Sequence, residues 1–92
     1  MNLPNLSKSR IMIIDDKAEN LNYLEQLLDR FGFEILSALD GQSALNIIKE
    51  LLPDIILLDV LMPEMDGFEV CRRLKSEAAT KDIPIILMTD LS

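Results

Sequence analysis

The chain has 92 residues, 49% of them apolar and 27% charged, with a net charge of −7. That length holds one domain, and that balance builds a folded core and excludes a disordered chain. Sixteen acidic residues against nine basic ones repel phosphate backbones and anionic lipid, which excludes direct nucleic-acid binding and membrane-surface binding.

There is no histidine, which removes histidine triads and histidine-ligated zinc, and the single cysteine, Cys71, can form no intrachain disulfide. A lone thiol fits a reducing cytoplasm, and Cys71 reads as a small core hydrophobe. No apolar stretch approaches the ~20 residues of a membrane span. Residues 1–9 lack the apolar core of a signal peptide and read as a polar leader; residues 10–92 read as the domain.

Ile11-Met12-Ile13-Ile14 is apolar on both faces, as a buried parallel strand should be, and Asp15-Asp16 ends it. From Ala18 to Phe31, the residues Leu21, Leu24, Leu27, Leu28 and Phe31 form one helical stripe. Gly32 stops that helix, because glycine accepts the left-handed conformation there. Phe33 to Ala38 reads as a second strand, and Asp40-Gly41 breaks the chain. Ala44, Leu45, Ile48 and Leu52 mark a second helix, terminated by Pro53. Ile55-Ile56-Leu57-Leu58 is a third strand, ending in Asp59. A loop with Pro63 and Gly67 leads to a third helix, from Phe68 to about Ala78. Lys81-Asp82 turns the chain, and Ile83 to Met88, interrupted by Pro84, is a fourth strand closing on Thr89. This alternation predicts an α/β fold, a parallel sheet with helices on both faces.

In such a sheet, ligands bind at the carboxyl ends of the strands. Three strands end in polar residues there: Asp15-Asp16, Asp59 and Thr89. Capping of the next helix needs one carboxylate, and two after a fully apolar strand put one more at the rim than the cap uses. Three crowded carboxylates stay ionised around a hard divalent cation, and oxygen ligands with retained water favour Mg²⁺. Asp59 or Thr89 alone would read as a turn residue.

Asp-Asp after the first strand, then Leu-Leu-Asp59-Val-Leu-Met-Pro63-Glu-Met-Asp-Gly67, then a strand closing on Thr89, resembles the receiver domain of two-component response regulators. The resemblance covers residues 10–92 and implies a flavodoxin-like (CheY-like) fold, truncated after the fourth strand, with order 2-1-3-4. It implies that Asp59 is the phosphoacceptor and that Thr89 bonds a phosphoryl oxygen. It implies that Asp16 and Asp59 ligate Mg²⁺ directly, Asp15 through water, and the backbone carbonyl of Leu61 completes the protein ligands. The donor would be a histidine kinase or a phosphotransfer protein, and the output a conformational change.

The family also carries a lysine after a fifth strand, and no residue here matches it; neither Lys17 nor Lys81 belongs to that motif. Asp90 stands where the family usually has a small residue. Both features weigh against stable phosphorylation. The competing expectation is therefore an interaction module that forms a homodimer through an exposed fourth strand. A phosphatase resembling haloacid dehalogenases would need a second aspartate two residues after the nucleophile, where this chain has Leu61. Nucleotide binding lacks a glycine-rich loop, since only three glycines exist and none cluster.

Overall fold

The computed structural model describes residues 9–89. Along the chain run β1 (Arg10–Ile14), α1 (Ala18–Asp29), β2 (Glu34–Ala38), α2 (Gly41–Leu51), β3 (Ile55–Asp59), α3 (Gly67–Lys75) and β4 (Ile85–Met88). Every strand pairing is parallel and the order is β2-β1-β3-β4. This is the expected flavodoxin-like arrangement.

The two central strands are apolar on both faces because both faces are covered. Met12, Ile14, Ile56 and Leu58 point to one side, against Ala44, Leu45 and Ile48 of α2 and Val70 and Leu74 of α3. Ile11 and Ile13 point to the other, against Leu21 of α1, with Leu24, Leu28 and Leu57 packed around them. Each Val, Leu, Ile or Met side chain among them contributes roughly 1.5–3 kcal/mol by leaving water.

The helix stripe read from the sequence is wider than the one α1 uses. Leu27 and Phe31 are 39% and 64% exposed. Leu27 lies roughly a quarter-turn round the helix from the Leu21–Leu24–Leu28 line, and Phe31 falls past the helix end, where its ring meets Phe33 at 6.4 Å.

In α2, Asp40 is the N-cap, accepting from the Ser43 N–H at 2.8 Å and the Ser43 hydroxyl at 3.0 Å. Those donors favour its charged form and hold the carboxyl below its usual range. The helix stops at Leu51; Pro53 keeps Leu52 out of the right-handed helical region, and Leu52 caps the helix in the left-handed one at φ 42°, its N–H donating to the Ile48 carbonyl at 2.9 Å.

α3 ends at Lys75, short of Ala78, and the following turn is built from side chains. The buried Thr80 hydroxyl donates to the Leu74 carbonyl at 2.6 Å, and the Lys75 ammonium donates to the carbonyls of Lys81 and Ile83 at 2.9 Å each. β4 starts at Ile85 rather than Ile83, since Pro84 has no N–H for the ladder.

The amino ends of the strands are tied by Arg10. Its guanidinium donates to Glu34 Oε2 at 3.0 Å and to the Leu51 carbonyl at 2.6 Å, and its backbone N–H donates to Asp54 at 2.7 Å. The carboxyl ends are left to the loops. Among the described residues β4 is the sheet edge on that side, with Ile86 and Leu87 50% and 41% exposed. Among the described residues, no helix is long and apolar enough to cross a membrane.

Candidate functional site

Parallel pairing sets Ile14 beside Leu58, so the next residues of each strand, Asp15 and Asp59, meet at the carboxyl rim. Asp16 follows directly. One carboxylate oxygen from each of Asp15, Asp16 and Asp59 lies within 4.8 Å of the others. Asp15 and Asp59 are buried, at 5% and 4% exposure.

The three carboxylates are not served alike. Asp59 Oδ1 accepts the Leu61 N–H at 3.3 Å, while its Oδ2 is buried without a partner. Asp16 Oδ1 is buried without a partner too. Asp15 is the opposite case: Oδ1 accepts the Lys17 N–H at 2.9 Å and Oδ2 accepts the Asn20 side-chain amide at 3.1 Å. Helix capping does not account for the acid pair. The N-cap of α1 is Lys17, and no side chain caps that end.

Electrostatics follow from this crowding. Burial raises the Asp59 carboxyl above its usual range, and the charge of Asp15 pushes it further; Asp16 adds to this, and the Leu61 N–H only partly offsets it. A buried carboxylate oxygen without a donor costs free energy unless a cation takes the place of the donor. An all-oxygen donor set suits a hard cation. The three carboxylates lie close enough together for one such ion to be held among them, directly or through its retained waters.

A cavity of about 300 Å³ lies against two of the three aspartates, Asp15 and Asp59, and is lined further by Lys17, Asn20, Tyr23, Leu24, Met88 and Thr89. Thr89 reaches it because Met88 pairs with Asp59, which sets Thr89 one step further along the rim. The Val60 N–H, donating to the Met88 carbonyl at 3.1 Å, ties the two strand ends together.

Asp15, Asp16, Asp59 and Thr89 thus share one rim, as the sequence predicts. Leu61 exposes its side chain and serves Asp59 through its N–H. Lys81 sits in the turn that enters β4, at the far end of that strand from Thr89. Asp90 lies outside the described residues. Sequence reasoning missed Asn20 and Tyr23; their only signal was position, in the first turns of the helix after the acid pair.

The spacing from Asp59 to Gly67 has a steric cause. A Cβ at Gly67 would lie 2.5 Å from the Asp59 carbonyl oxygen and 2.8 Å from Val60 Cα. The Gly67 N–H donates to the Val60 carbonyl at 2.9 Å. The start of α3 is thus laid directly on the backbone that carries Asp59, and only glycine permits it.

The profile of the response regulator receiver domain matches residues 11–92. The chain belongs to the response regulator receiver domain family. Receiver domains are signalling modules of two-component systems. This one is 48% identical over 83 residues to the response regulator PleD of Caulobacter vibrioides, covering 90% of this chain and 18% of that protein. The receiver domain of a signal transduction histidine kinase from Syntrophus aciditrophicus superposes with a TM-score of 0.84 at 37% identity, over 91% of this chain and 64% of that one. The chemotaxis response regulator CheY4 of Vibrio cholerae gives a TM-score of 0.86 at 29% identity, over 92% and 72%. The chain spans between 18% and 35% of the length of the curated relatives it matches.

Proposed function

We propose that this receiver domain accepts a phosphoryl group on Asp59, with Mg²⁺ held by Asp15, Asp16 and Asp59. The observation that carries the reading is the pair of buried, partnerless oxygens, Asp16 Oδ1 and Asp59 Oδ2, within one carboxylate cluster. Asp16 and Asp59, each with a buried oxygen lacking a partner, would ligate the ion directly. Asp15, whose two oxygens already accept N–H groups, would act through water, and the Leu61 carbonyl would complete the protein ligands. When bound, Mg²⁺ neutralises the crowded oxygens and offsets the charge of an incoming phosphoryl group.

The donor is a phosphohistidine on a histidine kinase or a phosphotransfer protein, met in the cytoplasm. It approaches through the cavity that Lys17, Asn20 and Tyr23 help to line. An Asp59 oxygen forms a bond to phosphorus as the bond from phosphorus to the imidazole nitrogen breaks, and that nitrogen keeps the electron pair. The nucleophile is already an anion, so no general base is needed. The Thr89 hydroxyl donates to a phosphoryl oxygen and draws its loop inward, which is the signal.

Treatment with acetyl phosphate and Mg²⁺ should add the mass of one phosphoryl group, and Asp59→Asn should not take it up. A label that persists in Asp59→Asn would place the acceptor elsewhere.

A second reading is association of this 92-residue chain with a second copy through β4. It is favoured by the exposure of Ile86 and Leu87 on an uncharged edge strand. Two-fold symmetry would pair two such edges antiparallel.

A further inference from the structure

We propose that Asn20 is a positioning residue of the metal site, fixing the Asp15 carboxylate and thereby setting the affinity for Mg²⁺ and its preference over larger cations. The inference rests on the reading of Asp15, Asp16 and Asp59 as a Mg²⁺ site. A carboxylate crowded by two others would rotate away from them. One donor leaves it free to swing about that bond; two donors, one on each oxygen, fix its plane.

The first donor, the Lys17 N–H on Oδ1, is backbone and comes from almost any residue at that position. The second, the Asn20 amide on Oδ2, depends on this side chain. Asn20 is itself held, since its own N–H donates to the Lys17 carbonyl at 3.0 Å in the first turn of α1. Each carboxylate oxygen has two acceptor sites, so both Asp15 oxygens keep one for ligand water. The amide is neutral. It orients the charge of Asp15 without cancelling it, which an ammonium group in the same place would do.

Orientation matters unequally between cations. Mg²⁺ demands near-ideal octahedral geometry, whereas Ca²⁺ accepts a variable one at longer distances. Removing a group that only positions Asp15 should therefore cost Mg²⁺ more than Ca²⁺. A general loosening of the rim would cost both alike.

The test titrates wild type, Asn20→Ala and Asn20→Leu with Mg²⁺ and with Ca²⁺, following the amide shifts of Asp15, Asp16 and Asp59. Asn20→Leu keeps the bulk against the helix while removing the donor. Asn22→Ala, exposed on the same helix, is the control. Both Asn20 variants should lose Mg²⁺ affinity about tenfold, the lower end of the effect of outer-shell partners, with a smaller loss for Ca²⁺ and none in Asn22→Ala. Mg²⁺ affinity within about twofold of wild type, or equal losses for both cations, would overturn the role of Asn20. A wild type whose three aspartates do not shift together would instead overturn the Mg²⁺ reading beneath it.

Discussion

Asp59 is buried beside two other carboxylates, and its ionisation carries a cost in the folded chain. Its folded pKa is raised, so the stability it contributes is fully present below the unfolded value of 3.8 and is lost as pH rises through the folded one. Without metal at pH 7, Asp59→Asn should therefore melt higher than wild type. The gap should close as pH falls below 3.8, and Mg²⁺ should narrow it at pH 7 by stabilising wild type alone. Thermal melts of the two proteins with and without chelator decide it, and a wild type that melts higher than the variant in chelator at pH 7 sinks the idea. The acid triad was legible because each member ends an apolar run. Asn20 was not, because nothing in a sequence says which neighbour will turn its amide toward Asp15.

At the scale of the element, the start of α3 is fixed by what lies under it. Gly67→Ala would drive a Cβ into the backbone of Asp59 and Val60, which cannot yield without moving the acceptor. At Gly41 the same change meets side chains and no backbone: Met65 Sδ at 2.9 Å, which can swing aside, and Val70 Cγ2 at 2.8 Å and Met65 Cβ at 3.2 Å, which must give by a few tenths of an ångström. Gly67→Ala should cost about 1–3 kcal/mol in chemical denaturation and Gly41→Ala distinctly less. Equal costs would show that the approach of α3 is not the constraint. The strand and helix types were readable because apolar runs and 3.6-residue stripes differ in period. Their ends were less so. Leu27 belongs to the stripe by spacing and not by packing, and the turn after α3 depends on Lys75 and Thr80, whose partners are six to eight residues away.

For the whole molecule, periodicity announces alternating strands and helices, but not the order of the strands; that came from the motif around Asp59. Among the described residues that order makes β4 an edge with an apolar, uncharged face. Should the chain self-associate there, the net charge of −7 on each copy opposes it, and salt screens that repulsion. Sedimentation at micromolar concentration should therefore show a dimer fraction that grows with ionic strength. A monomer at every salt concentration would remove the second reading and leave the phosphoacceptor reading untouched.

Beyond the β3–β4 ladder, the bond from the Val60 N–H to the Met88 carbonyl closes the carboxyl end of the pairing between the strand that carries Asp59 and the strand that leads to Thr89. It cannot open unless those two strand ends separate. The deuterium exchange rate of that one amide is thus a clock for the rim, counting how often the wall with the acceptor parts from the wall that would close on it. Anything that draws Thr89 toward Asp59 should slow the clock, and anything that frees β4 should speed it up.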